Sequence, residues 1–466
     1  MTGAADPAAD DDFVADLPFR PRAEIEAIQR RRLARTLDLC FERHPFYHRR
    51  WAEAGLARGD IGGPEDLWKL PVTVKRDLAG DPEAFRLETE GLEAEAQVAW
   101  DVMHTTGTSG GRPTPFHSTA WDFYGILTAN RRALEIRGVR GDDVIANLCP
   151  LTLYPYGAFH RTIAAAAAMK IPVVSLLPGR PSPHFHWSAG LDEVVEGVAR
   201  TRATILWGVA SYVRRVILRA EELGADFSAV RHAFVTGEPV SEALRADMTD
   251  RLERLGARSP RVSVSYAATE MQVGAVECAP GSGYHNPAPD EFLFEVVDPE
   301  THRPVPEGER GLVVVTHLNR RGTVLVRYLL GDTSRMTTEP CPRCGATTER
   351  LVELPHRADD LLKIRGMLVD PAVLLGALVG LGLAEYQVVV DRETSGDPLS
   401  MDRLTVRAAP AGGAAADAEL ADRIAGAVKE AVGVRPRVDF AERSEIWDPD
   451  RTLKSRRIVD ARPPAR

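Results

Sequence analysis

The chain has 466 residues, of which 44% are hydrophobic and 27% charged, and a formal net charge of −9. That length exceeds what one hydrophobic core serves, so two or more domains are expected, and the acidic balance speaks against a nucleic-acid partner. No run approaches the roughly 18 apolar residues of a membrane span, and five cysteines form no disulfide framework, which points to a reducing cytoplasm without membrane contact.

Residues 1–20 open with MTGAADPAADDDF, which lacks the basic and apolar regions of a signal peptide and reads as a disordered acidic tail. From Pro21 to Leu56 the apolar positions Ile25, Ile28, Leu33 and Leu37 recur at near-helical spacing and predict a helix. Beyond Gly107 helix and strand alternate. Trp121–Ile136 predicts a helix capped by Ser118 or Thr119, and Val144–Leu148 and Ile171–Leu177 predict buried strands around an Ala-rich helix. Thr204–Gly208, His232–Thr236 and Val262–Tyr266 are further short strands, each after a helical stretch. This is the signature of an α/β body with parallel pairing.

Near Phe292 the pattern changes to strand-like segments joined by turns, namely Phe292–Val297, Gly311–Leu318 and Thr323–Tyr328. They predict an appended antiparallel sheet. After Leu354 comes a βαββαβ-like order: a helix near Pro371–Leu381, strands Tyr386–Val390 and Leu404–Ala408, the helix Ala418–Val432 and the strand Arg435–Phe440. The expected fold class is therefore α/β, with a large multi-subdomain N-terminal body over 21–356 and a small, mobile α+β domain over 357–466.

The strongest local feature is His104-Thr-Thr-Gly-Thr-Ser-Gly-Gly-Arg-Pro-Thr114, following a strand-like stretch. Gly107, Gly110 and Gly111 let backbone N–H groups approach an anion. Thr105, Thr106, Thr108 and Ser109 add hydroxyl donors, and Arg112 a fixed charge. The loop suits a polyphosphate but lacks the Gly-Lys-Ser/Thr ending of a Walker A loop. By itself it is also compatible with a plain surface loop.

Cys341-Pro-Arg-Cys344-Gly345 is half a zinc knuckle. Cys278 and His285 are the complements, giving a Cys₃His structural site inserted near 278–345. No thioredoxin-like context supports a redox reading, and unligated structural cysteines are the alternative.

At this point the chain resembles the adenylate-forming superfamily of acyl-CoA synthetases, in its phenylacetate-CoA ligase-like branch. Thr105–Thr114 looks like the branch's phosphate loop, with Arg112 for the usual Lys. Thr236-Gly-Glu-Pro239 is similar to its adenine-side loop, and Tyr266-Ala-Ala-Thr-Glu270 to its aromatic-Gly-x-Thr/Ser-Glu motif, with Ala267 for Gly. Tyr328-Leu-Leu-Gly-Asp332, the hinge-like Arg357-Ala-Asp-Asp-Leu-Leu-Lys363 (His356 replacing a Gly), and the tail Lys454-Ser-Arg-Arg-Ile-Val-Asp460 complete the set in family order.

The resemblance implies ATP-dependent activation of a carboxylic acid, aryl or arylacetic, to acyl-AMP, and then transfer to coenzyme A. A carrier-protein thiol, an amine or another nucleophile is the alternative acceptor, and a non-catalytic nucleotide-binding relative the rival from another class. It assigns Thr105, Thr106, Gly107, Thr108, Ser109 and Gly110 to the ATP phosphates, and Gly237, Glu238, Pro239 and Tyr266 to adenine. Asp332 and Arg357 go to the ribose, Thr269 to the α-phosphate, Glu270 to Mg²⁺, Asp359 to the hinge and Lys454 to adenylation chemistry. Read from spacing alone, Tyr266 is equally a core aromatic, Asp332 a turn residue and Lys454 a solvated surface charge. Tyr154, Tyr156, Phe159 and Gly208 are candidates for the acid pocket, and the branch suggests a homodimer.

Overall fold

The computed structural model describes residues 14–105, 113–151, 157–179, 187–357, 362–365, 367–394, 400–412, 415–448 and 455–462. The chain divides into two compact units.

The first unit comprises residues 1–145, 151–173 and 263–356. The single helix expected over Pro21–Leu56 is two helices, Arg22–Arg43 and Pro45–Glu53. Proline crowds the residue before it out of the helical region, and His44 is extended at φ −108°, ψ 107°. Pro45 then starts the second helix, where its missing N–H costs nothing, and the His44 ring accepts the Tyr47 N–H at 3.3 Å. The helix Ala120–Ile136 is capped by Thr119, which exchanges hydrogen bonds with Asp122.

The sheet of this unit runs, in spatial order, through Phe292–Val297, Arg310–His317, Tyr328–Thr337, Arg350–Leu351, Tyr284–His285, Gly274–Val276 and Arg261–Ala267. All of these pairings are antiparallel, as expected for the strands from Phe292 onward, and Arg261–Ala267, expected within the parallel α/β body, also has an antiparallel neighbour in Gly274–Val276. The strand expected over Thr323–Tyr328 is displaced, because the ladder begins where that prediction ends, at Tyr328. Arg327 sits at φ +47°, a left-handed turn that a continuous ladder does not accommodate. The buried stretch before it makes isolated bonds instead of a ladder: Val324 N–H donates to Phe85 O at 3.0 Å, and Leu325 O accepts from His317 N–H at 2.8 Å. Apolar periodicity reports burial there, not a continuous ladder. A separate hairpin, Ala99–His104 with Pro115–Thr119, brackets the glycine-rich loop. At its base Thr105 N–H donates to Thr114 O at 3.0 Å.

The second unit comprises residues 146–150, 174–262 and 357–466. Strands Ile205–Val209 and His232–Thr236 pair in parallel, joined by the helix Ala210–Leu223. Ile145–Asn147 and Val173–Ser175 follow beyond Ile205–Val209. The C-terminal part forms a four-stranded sheet in the order Arg437–Phe440, Asp402–Pro410, Leu383–Arg392, Ile458–Asp460. Helices Pro371–Gly376 and Ala418–Val432 belong to the same module, whose core is built from Val388, Val390, Leu404, Val406, Ile424 and Val428. The parallel pairing of Ile458–Asp460 with Leu383–Arg392 holds the end of the chain in the sheet. Among the described residues, no helix is long and apolar enough to cross a membrane.

A buried ionic cluster ties the start of the described chain to the first unit. Arg132 and Asp290 are almost fully buried, and their guanidinium and carboxylate meet twice, at 2.7 and 3.2 Å. Arg132 also donates to Ala15 O at 3.1 Å and Val14 O at 2.5 Å. Burial opposes ionisation of Asp290, yet Arg132 and Arg32 outweigh it and hold the carboxyl below its usual range. Arg132→Ala should lower stability by about 3–5 kcal/mol, the scale of stranding a buried charge. In Arg132→Ala/Asp290→Ala the loss should fall well short of the sum of the single losses, as read from urea-unfolding midpoints at neutral pH.

Candidate nucleotide and metal sites

Two of the motifs lie in the first unit, on the strand Arg261–Ala267 with the turn after it and at the start of the strand Tyr328–Thr337. Each begins with a tyrosine and ends with a carboxylate, and the two are cross-linked. The Tyr266 hydroxyl donates to Asp332 Oδ2 at 2.6 Å, while the Tyr328 hydroxyl donates to Glu270 Oε1 at 3.0 Å. Tyr266 and Glu270 are each 8% exposed and Tyr328 is 1% exposed. Such bonds orient a carboxylate without transferring a proton to it. Gly331, at φ +83°, lies inside the strand Tyr328–Thr337 where its register against Arg310–His317 shifts, just before Asp332.

The backbone around Glu270 is held as firmly as its side chain. His317 Nδ1 accepts the Leu325 N–H at 3.0 Å, so the ring's proton is on Nε2, which donates to Glu270 O at 2.8 Å. Burial and then Arg320 push His317 down to about 3, so it stays neutral. Sequence reasoning missed His317, and it gave Tyr328 no role of its own. No motif contains His317, and its only signal is a polar residue in an apolar strand.

In the second unit, Gly237 has φ +80° and Glu238 accepts from Ser211 N at 2.8 Å and Ser211 Oγ at 2.9 Å. Glu238 thus satisfies the start of the helix Ala210–Leu223. Gly208 has a packing reason to be small: a Cβ there would lie 3.0 Å from Leu148 Cβ and 3.1 Å from Val213 Cγ2. Phe159 lies on the helix Gly157–Met169. Thr106, Gly107, Thr108, Ser109, Gly110, Gly111, Arg112, Tyr154, Tyr156, Asp359 and Lys454 lie outside the described residues. Arg357 is described only as backbone in the short strand His356–Arg357.

The four residues of the expected zinc site come together. One ligand atom from each of Cys278, His285, Cys341 and Cys344 lies within 4.8 Å of the others. Cys278 and Cys341 sulfurs are 3.8 Å apart, and Cys344 Sγ is 3.4 Å from His285 Nε2. His285 Nδ1 donates to Val276 O at 3.0 Å, which directs Nε2 toward the thiols. Hydrogen bonding from Cys344, with His285 adding to it, pulls the Cys278 thiol down to about 3. Gly345, at φ +78°, makes the turn after the Cys-x-x-Cys pair.

The chain also matches known proteins. The family described as AMP-binding enzyme matches residues 162–319. The phenylacetate-coenzyme A ligase of Thermus thermophilus is 30% identical over 82% of this chain and 81% of its own length. The chain belongs to the phenylacetate-coenzyme A ligase family of adenylate-forming enzymes. The Escherichia coli phenylacetate-coenzyme A ligase is 27% identical over 81% of this chain and 82% of its own. A crystal structure of 2-hydroxyisobutyryl-CoA ligase in the postadenylation state superposes with a TM-score of 0.78. It is 26% identical and covers 97% of this chain and 93% of that one.

The buried histidines of this ligase give it a defined acid sensitivity. His317 and His44, the latter lowered to about 4 chiefly by burial, stay neutral when folded but titrate near 6.5 when unfolded. Their contribution is fully present above about pH 6.5 and is lost as pH falls toward the folded values. Each should cost about 1.4 kcal/mol per pH unit in that window. His317→Gln should be less stable at pH 7.5 and should lose about one proton of slope between pH 6 and 5. An unchanged slope in urea titrations would mean that the ring is charged in the folded state.

Proposed function

We propose that this ligase uses ATP to activate an aryl or arylacetic acid as its acyl-AMP and then transfers the acyl group to coenzyme A. The crossed tyrosine–carboxylate pairs carry the reading, because they present two oriented carboxylates, one for each of two different tasks. Asp332 accepts the ribose hydroxyls by charge-assisted bonds, while Tyr266 packs against adenine and Thr269 contacts the α-phosphate. Glu270 is a hard oxygen donor suited to the Mg²⁺ that accompanies ATP and neutralises charge on its phosphate oxygens. The glycine-rich loop over residues 105–111 holds the β- and γ-phosphates.

In the first half-reaction a carboxylate oxygen of the acid attacks the α-phosphorus. The bond to the bridging oxygen breaks and pyrophosphate leaves with the electron pair. In the second half-reaction the thiol sulfur attacks the acyl carbon, losing its proton, and AMP departs. Both steps bring anions together, so positioned cations dominate the catalysis. We assign one of these to Lys454 on the C-terminal domain, whose swing about Asp359 would bring the lysine in for the first step and clear it for the second. The aryl preference rests on the family resemblance, with Tyr154, Tyr156, Phe159 and Gly208 as pocket residues. The homodimer and the cytoplasmic setting rest on resemblance and composition.

Acid-dependent pyrophosphate release across aryl, arylacetic and short aliphatic acids, with and without coenzyme A, tests this reading. Aryl or arylacetic acids should be preferred, and coenzyme A should be acylated. Pyrophosphate release with acyl transfer only to a carrier-protein thiol would move the acceptor. Lys454→Ala should slow acyl-AMP formation by about a hundredfold, yet still transfer the acyl group from chemically prepared acyl-AMP. Equal loss of both steps, or of neither, would remove Lys454 from the mechanism.

We further propose that Cys278, His285, Cys341 and Cys344 hold one structural zinc. Three thiols and an imidazole within 4.8 Å of one another match a closed tetrahedral set. Purified protein should then carry about one zinc per chain, and Cys344→Ser should lose the metal together with folding stability. Metal-free protein of ordinary thermal stability would sink the assignment.

A further inference from the structure

The helix Gly157–Met169 carries a buried arginine that neither the motifs nor the nucleotide site accounts for. Arg161 is 8% exposed, on a helix that is otherwise largely apolar. A guanidinium in such a place is costly unless it is paired and its donors are used. Its Nη2 donates to Asp101 Oδ2 at 3.3 Å, on the strand Ala99–His104, and by a short bond to Gln272 Oε1. Its Nη1 faces His160 Nδ1 at 3.2 Å.

Gln272 passes the link onward. Its Nε2 donates to Thr269 O at 2.5 Å, and its backbone N–H donates to the same oxygen at 3.3 Å. Gln272 is 5% exposed and sits at φ +62°. A non-glycine residue held in the left-handed region costs about 1–3 kcal/mol and persists only where its surroundings fix it. Here the fixing partner is Arg161. The turn over residues 269–272 is thus held from two sides, by His317 on the Glu270 carbonyl and by Arg161, through Gln272, on the Thr269 carbonyl.

We propose that Arg161 is a positioning residue for the metal-binding turn: through Gln272 it fixes the Thr269 carbonyl and hence the orientation of Thr269 and Glu270. Its helix also carries Phe159, so one hydrogen bond links the element assigned to the acid pocket with the turn assigned to the metal. The inference rests on the reading of Glu270 as the carboxylate that meets Mg²⁺.

The test is acid-dependent pyrophosphate release at fixed total ATP and varied Mg²⁺, with thermal midpoints measured separately. Gln272→Met cuts the link while leaving the Arg161–Asp101 ion pair intact. Arg161→Met removes both interactions, and Arg161→Lys restores a cation with fewer donors. Arg161→Met and Gln272→Met should each raise the half-saturating Mg²⁺ about threefold to tenfold, the scale of coupling between contacting residues. The double variant should be no worse than Arg161→Met alone, and Arg161→Lys should recover part of the loss. A lowered midpoint with unchanged Mg²⁺ dependence, or fully additive effects, would overturn the proposal. Should Arg161→Met fail to fold, Gln272→Met decides alone, because it leaves the buried charge paired. An unchanged Mg²⁺ dependence in Glu270→Gln would instead refute the metal reading on which the inference rests.

Discussion

Two hydrogen bonds, Tyr266 to Asp332 and Tyr328 to Glu270, set the arrangement on which the proposed nucleotide site of the first unit depends. Each joins the aromatic of one motif to the carboxylate of the other, so neither carboxylate can turn without its partner strand. A carboxylate that must recognise a sugar or a cation gains from being held before its ligand arrives, because the ordering cost is then met in folding. The remaining features of this region act on the same two residues. His317 holds the Glu270 carbonyl, and Arg161 and Gln272 hold the residue before it. Gly331 provides the left-handed backbone at the strand irregularity before Asp332.

The cysteine cluster bears on the same two elements. Cys278 and His285 follow the strand Gly274–Val276, which pairs with Arg261–Ala267, the strand that carries Tyr266. Cys341 and Cys344 lie just after Tyr328–Thr337, the strand that carries Asp332. Antiparallel pairing through Tyr284–His285 and Arg350–Leu351 brings the two pairs together. A metal held there would brace, from the far end, the strands whose near ends carry the crossed pairs.

Much of this was legible before any coordinates. The helix Ala418–Val432 and the strands His232–Thr236 and Phe292–Val297 lie where periodicity placed them, because apolar spacing and flanking breakers agree there. The Cys₃His cluster was legible because a Cys-x-x-Cys-Gly turn supplies two thiols and needs two further ligands to complete a tetrahedral set. Pro45 ended a helix that apolar spacing alone ran through to Leu56. Arg327, in a left-handed conformation, ended an extended segment that its buried valines made look like a strand.

The sequence by itself determined the chemistry present: a glycine- and hydroxyl-rich loop, two tyrosine–carboxylate motifs, a quartet of three cysteines and a histidine, and a lysine-bearing tail. These are short-range patterns, and composition and spacing suffice to reveal them. Only the tertiary structure decided which tyrosine serves which carboxylate, since the crossing depends on the pairing of strands distant in sequence. It alone raised Arg161, Gln272 and His317 from unremarkable polar residues to the supports of one turn. Their partners lie 111, 3 and 47 positions away, and a buried polar residue shows what it holds only when the group it must satisfy is in place beside it.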